Sequence, residues 1–402
     1  MAARTDPRPA AAPSARRGPL AGTTVLDLAS VGPAARATRL LADYGAEVVK
    51  VGPVPAAGGV QIEPPFFAYS GQRGTRRVLV DLKAEGGRQA FLALAARADV
   101  VVESFRPGVV DRLGVGYAAV REVNPAVVYC ATSGYGQRGP RSGWAGHDLD
   151  YLAVGGYLAS TGPRADGGPP VPGATVADAA AGGMQAALAI TVALAGRAAT
   201  GEGAYLDVSV ADGVLWLMSL AVDEHLATGA EPGPGHDILT GRYACYDAYR
   251  AADGRWLAVA AIEHKFFANL CRALGCERWI DHQLDDAAQD GIRADFAAAF
   301  AAHPRDHWVA ALAGADTCVA PVLAVAEVAA DPGFAERGAV IEARHPTRGA
   351  LRQVAPVLAG MARPPEPVEL PDPGTTDTEA LLQEAGVDAG TVAAWRAEGV
   401  IA

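Results

Sequence analysis

Short apolar runs alternate with helix-length segments through the first half of this chain, and that alternation limits what it can fold into. The runs are Thr24–Leu28, Ala46–Val51, Val78–Leu82, Asp99–Glu103 and Ala126–Ala131. Each is too short for a helix and apolar enough to be a strand covered on both faces. The first two bracket Ala34–Tyr44, whose Ala37, Leu40, Leu41 and Tyr44 follow a helical spacing that Gly45 stops. Strand, helix and strand of this length form a right-handed parallel crossover, so the fold class is α/β with a Rossmann-like parallel sheet. The turn Val31-Gly32-Pro33 does not supply a GxGxxG fingerprint, which argues against a dinucleotide site of the usual kind.

The pattern changes near the Gly/Pro segment 229–235. Beyond it Tyr243–Tyr249 and Trp256–Ala260 alternate around the turn Ala252-Asp253-Gly254, as a hairpin does, and a helix is expected from Lys265 to Leu274. A chain of 402 residues exceeds one ordinary core. The expected division is a tail at 1–17, a large α/β domain at 18–228, a small α+β domain at 229–335, and a return to the large domain with C-terminal helices at 336–402. The tail is rich in Ala, Pro and Arg and has no apolar h-region, so it reads as disordered and not as a signal peptide.

Several function classes drop out. A formal net charge of −11 argues against a general nucleic-acid binder. The five cysteines form no CxxC and read as reduced, cytoplasmic core residues. No apolar run reads as long and uncharged enough to span a membrane. His303 and His307 stand four apart, but Pro304 intervenes and no HExxH accompanies them, so no metal site is expected. There is no GxSxG elbow for a serine hydrolase.

Chemistry concentrates after the strand 126–131. Ser133-Gly134-Tyr135-Gly136 leads to Ala145-Gly146-His147-Asp148, a glycine-rich turn at a strand end where open α/β sheets hold ligands. The same stretch also reads as a surface loop with Asp148 capping a helix. Asp178 opens an Ala-rich helix, either as an N-cap or as a carboxylate kept ionised by the helix start. Glu263 ends the hairpin strand. Arg73, Arg76 and Arg77 surround Gly74 beside a strand, which suits phosphate or a solvated basic turn.

Together these pieces resemble the family III CoA-transferases (CaiB/BaiF type), and within them most closely the α-methylacyl-CoA racemases. The likeness rests on Gly18–Gly22, Leu41–Val51, Arg73-Gly74-Thr75-Arg76-Arg77 with Asp81-Leu82-Lys83, Phe105-Arg106-Pro107-Gly108, Ser133–Gly136, Ala145–Asp148 and Ala260–Glu263 before Lys265-Phe266. It implies that His147 and Asp178 are two bases on opposite faces of a thioester α-carbon, with Glu263 orienting His147. Backbone N–H groups near Asp178 would hold the enolate oxygen. It implies coenzyme A binding by Arg73, Arg76, Lys83, Arg106, Gly134, Tyr135 and Asp148, with CoA part of the substrate and no covalently bound cofactor. It implies an intertwined homodimer with sites shared between chains. The expected activity is racemisation of a 2-methyl-branched acyl-CoA. The alternatives are a CoA-transferase using Asp178 as nucleophile and a non-catalytic CoA-thioester-binding protein. The chain departs from the resemblance at Val51-Gly52-Pro53, at Gln72, and at Ala179-Ala180-Ala181.

Overall fold

The computed structural model describes residues 18–55, 64–356, 367–372 and 374–402; the expected N-terminal tail lies outside them. The chain forms two compact units. Unit 1 comprises residues up to 156, 172–217 and 335–402; unit 2 comprises 157–171 and 218–334. The sequence-derived limits differ from this grouping by one residue at Ala335, which groups with unit 1, and at two larger places. The loop 157–171 and the helix Ser219–Thr228 both group with unit 2.

Unit 1 is built on six parallel strands: β1 (Thr24–Asp27), β2 (Glu47–Gly52), β3 (Thr75–Leu79), β4 (Val100–Glu103), β5 (Val128–Ser133) and β6 (Ala204–Ser209). Their order is β3-β2-β1-β4-β5-β6, with every pair parallel. The order reverses between β1 and β4, and ligands of such sheets sit beyond the carboxyl ends of the strands at that switch. The strands are apolar because helices cover both faces. Val25, Val48, Val100, Val102 and Val128 point to one core, and Leu26, Val49, Val101 and Tyr129 to the other.

Helix α1 (Gly32–Asp43) carries Pro33 in its first turn, where its missing N–H would have no partner in any case. Gly45 then adopts φ +100 to turn into β2. The other helices of unit 1 that shape the site are α2 (Glu85–Ala95), α3 (Val109–Arg112), α4 (Tyr117–Val123), α5 (Asp148–Val154), α6 (Gln185–Thr200) and α7 (Val210–Leu217). The C-terminal helices Thr378–Glu384 and Ala389–Ala397 bury Leu381, Leu382 and Val392 in the core of β1–β3.

One stretch differs from its sequence reading. The spacing predicts a single α-helix over 179–196, but Ala177–Met184 is a π-helix running straight into α6. The cause is close packing on α1. A Cβ on Gly182 would come within 2.6 Å of Pro33 Cβ, and one on Gly183 within 2.8 Å of Arg36 Cβ. The glycines let α1 approach, and the wider turn fits the contact. By length and composition alone this helix, Ala177–Thr200, is apolar enough to cross a membrane, contrary to the expectation that no run qualifies. Its π-helical part packs on α1 and α7 within the unit, and about a third of its most apolar stretch is buried.

Unit 2 has a three-stranded antiparallel sheet. Its strands are β7 (Tyr246–Arg250), β8 (Trp256–Ala260) and β9 (Val319–Pro321), in that order, with Gly254 at φ +80 in the hairpin turn. Phe267, Phe296, Phe300 and Ile292 form its core.

Candidate active site

The end of β5 and the start of α5 are held together by aromatic rings that only glycine admits. A Cβ on Gly134 would lie 2.3 Å from the Tyr151 ring, and one on Gly146 2.7 Å from the Tyr135 hydroxyl. Tyr135 packs edge-on against Tyr151 at 5.2 Å and against Trp144 at 6.0 Å. The Tyr151 hydroxyl donates to the Gly146 carbonyl at 2.5 Å. These contacts fix the backbone immediately before His147. His147 is extended (φ −130, ψ 178), and its N–H donates to Asp150 Oδ2 at 2.9 Å. Its imidazole is exposed.

Asp148 then reaches across to the π-helix. Its Oδ1 accepts the backbone N–H of Asp178 at 2.8 Å. The sequence reading gave Asp148 to CoA binding or to a helix cap. In the structure it is the tether between the two candidate bases.

Asp178 is half-buried near the π-helix start. Burial, and then the Asp148 carboxylate, push its carboxyl above the ordinary Asp range; Arg36 and His147 oppose the rise. The helix start therefore does not hold this carboxyl below the ordinary range, because burial and the neighbouring carboxylate act the other way. The backbone donors expected to hold an enolate are also partly used: Asp178 N–H goes to Asp148, and Ala179 N–H goes to the Thr175 carbonyl at 3.0 Å.

The basic residues separate into two groups. Arg73 is 3 % exposed and fully engaged. It donates to Asp43 at 3.0 and 3.2 Å, to Gln353 Oε1 at 2.8 Å and to the Val354 carbonyl at 2.7 Å. Arg76 pairs with Glu47 at 3.2 Å, Glu384 at 3.1 Å and Asp377 at 3.4 Å. Both arginines tie β3 to its neighbours, which corrects their assignment to phosphate binding. Lys83 and Arg106 are exposed, and among the described residues Arg106 pairs with no carboxylate. Arg106 stands just after β4, at the switch point of the sheet. Glu263 belongs to unit 2, exposed at the N-cap of the helix His264–Ala273.

A cavity of about 440 Å³ lies at the carboxyl ends of β1 and β2, with Ser30, Lys50, Gln72, Arg77, His345 and Arg348 in its wall. Lys50 is paired with Asp27 inside it. Among the described residues no group of three or more His, Cys, Asp or Glu could hold a metal ion.

Two residues escaped the sequence reading. Arg36 on α1 donates to Thr175 Oγ1 at 2.5 Å and lies over the Tyr69 ring, beside Asp178. The signal was a lone arginine in Gly-Pro-Ala-Ala-Arg, on the turn of α1 nearest the glycine start. Glu103 ends β4 at 2 % exposure, accepting the Phe105 N–H at 2.7 Å. Burial pushes its carboxyl up to about 7. Its signal was an acid closing an otherwise apolar strand.

The family model for CoA-transferase family III matches residues 20–378. The mouse alpha-methylacyl-CoA racemase is 36 % identical over 310 residues, which is 77 % of this chain and 78 % of that one. The acetyl-CoA:oxalate CoA-transferase of Acetobacter aceti is 32 % identical over 346 residues, 82 % of this chain and 87 % of that one. A crystal structure of a CaiB/BaiF family protein from Brucella suis superposes with a TM-score of 0.72 at 28 % identity, covering 92 % of this chain and 100 % of that one. Matched along most of its length by the family model and by relatives of both activities, the chain belongs to CoA-transferase family III.

Proposed function

We propose that this chain is an acyl-CoA racemase that inverts the α-carbon of a 2-methyl-branched acyl-CoA by moving protons between two bases. The observation that carries this reading is the Asp148 bridge. It joins the element bearing His147 to the element bearing Asp178, and Asp178 is held where its protonated form is favoured relative to water. A thioester α-proton is weakly acidic, so its removal needs a base on one face and an acid on the other. In one direction His147 takes the α-proton and the bond pair moves into the enolate. Asp178 then delivers its own proton to the opposite face. In the other direction the roles exchange. Arg106 and Lys83 meet CoA phosphates, with Gly134 and Tyr135 shaping the turn beside the thioester.

The working form is a cytoplasmic homodimer. The π-helix and α6 leave Met184, Leu188 and Val192 exposed at 60 %, 64 % and 62 %, one face four residues apart, and Trp216 on α7 is exposed at 75 %. An apolar stripe of that kind suits a partner chain.

The second reading is a CoA-transferase, favoured by relatives of that activity at comparable identity. There the Asp178 carboxylate attacks the thioester carbonyl, the C–S bond breaks, and CoA thiolate leaves a mixed anhydride. The test is incubation with a chiral 2-methylacyl-CoA in deuterated water, with and without a free carboxylic acid. Inversion with α-deuterium uptake and no need for the acid supports the racemase. Thioester transfer to the acid without α-exchange supports the transferase. Binding with neither leaves a non-catalytic CoA-thioester protein.

A further inference from the structure

Arg36 stands on α1 with three contacts that fix it against the π-helix. Its Nη2 donates to Thr175 Oγ1 at 2.5 Å, just ahead of the π-helix Ala177–Met184. Its guanidinium lies over the Tyr69 ring at 5.4 Å, and the Tyr69 hydroxyl accepts the Gly32 N–H at 3.0 Å, so that ring is itself anchored to the start of α1. At the base of the side chain, a Cβ on Gly183 would sit 2.8 Å from Arg36 Cβ and 2.9 Å from the Asp178 carbonyl oxygen. Arg36 and the Asp178 backbone therefore close on one glycine from two sides, and this packing places them side by side. The Thr175 carbonyl accepts the Ala179 N–H at 3.0 Å, so whatever holds Thr175 also holds the turn that contains Asp178.

A guanidinium gains most from a carboxylate that takes both arms of its fork. Arg36 pairs with no carboxylate among the described residues and meets a neutral hydroxyl instead. Its Nε is buried without an acceptor among them. The charge is thus left uncompensated beside the helix whose carboxyl has to react in both enzymatic readings.

We propose that Arg36 is a positioning residue for Asp178, clamping the entry of the π-helix through Thr175 and holding a positive charge beside it. The proposal rests on Asp178 being the reacting carboxyl, which the racemase and transferase readings share. The groups that act on this carboxyl are Asp148, His147 and Tyr151 from α5 and Arg36 from α1, while α7 meets the π-helix through Gly213 at the Ala181 carbonyl. Arg36 opposes the rise caused by burial and Asp148, so its removal favours the protonated form further.

The test measures kcat and KM against pH in whichever activity the wild type shows, α-deuterium exchange of the epimer that Asp178 deprotonates or thioester transfer. Arg36→Met should lower kcat by about ten- to a hundredfold, the scale of a misplaced reacting group, with KM within about threefold. Its loss should be about three- to tenfold greater on the acid limb than on the plateau, because that limb moves to higher pH. Arg36→Lys keeps the charge without the planar fork, so it should restore the limb and only part of kcat. Thr175→Val removes the acceptor and keeps the guanidinium, so it should lower kcat with the limb in place; these two variants carry the test if Arg36→Met does not fold. An acid limb that stays put in Arg36→Met, or moves equally in Arg36→Lys, overturns the proposal and leaves the enzymatic readings standing. A raised KM at unchanged kcat also overturns it, making Arg36 a substrate contact. Full activity in Asp178→Ala, or no activity in the wild type, removes the reading of Asp178 and the proposal together.

Discussion

Glu103→Gln should make the folded chain more stable above neutral pH, and the gain can be worked from the structure. Glu103 is buried at the end of β4, with one backbone N–H for its charge and Asp111 adding repulsion. Its carboxyl is held at about 7, against 4.5 for the free side chain. The folded chain therefore binds more protons than the unfolded chain between these values, so stability falls as pH rises through that window and levels off above it. At about 1.4 kcal/mol per tenfold change in proton affinity, the anion costs the fold roughly 3 kcal/mol at pH 8. Glutamine keeps an oxygen for the Phe105 N–H and cannot ionise. The variant and wild type should have similar stability near pH 4.5 and diverge steadily to pH 7, with the variant ahead by about 2–3 kcal/mol beyond it. Urea unfolding at a series of pH values, at one fixed protein concentration because assembly shifts apparent stability, measures this directly. Parallel pH profiles for the two proteins would show that Glu103 titrates normally and that burial is not setting its charge.

Other outcomes follow from the same geometry. Asp148→Asn keeps the acceptor for the Asp178 N–H but removes the charge that helps push the Asp178 carboxyl upward, so the acid limb of the pH–rate profile should move to lower pH; Asp148→Ala should instead cost activity at every pH. Arg106→Ala should weaken CoA binding by about 1.5–3 kcal/mol in calorimetry without altering thermal unfolding. Gly182→Val would drive a side chain into Pro33, 2.6 Å from where its Cβ would sit, and should destabilise the α1 contact by about 1–3 kcal/mol in urea unfolding.

Much of this architecture is legible in the sequence because its signals are local. The apolar runs at Thr24, Ala46, Ala126 and their neighbours became parallel strands, since strands covered on both faces have no polar side to hide them. Gly134 and Gly146 stood out, and each proved to face a tyrosine ring. What stayed hidden depends on tertiary partners. Arg73 and Arg76 look like phosphate ligands until Asp43, Glu47 and Glu384 come alongside, two of them close in sequence to each other and one from the far C-terminus. The π-helix depends on how closely α1 approaches Gly182 and Gly183, which no periodicity in 179–196 reports. The raised carboxyl of Asp178 depends on burial and on Asp148, thirty residues away along the chain.

The central claim is that His147 and Asp178 act from opposite faces of one α-carbon. The direct measurement is α-deuterium exchange of the separate 2R and 2S epimers of a 2-methylacyl-CoA, followed by mass spectrometry and chiral separation for wild type, His147→Ala and Asp178→Ala. Two-base chemistry requires the wild type to exchange and invert both epimers. Each variant should lose inversion by about 10²–10⁴-fold while keeping exchange on one epimer only, the opposite one for the other variant. Loss of all activity in Asp178→Ala, with His147→Ala still active and hydroxylamine trapping an acyl group on Asp178 of the wild type, would contradict the claim and make the chain a transferase.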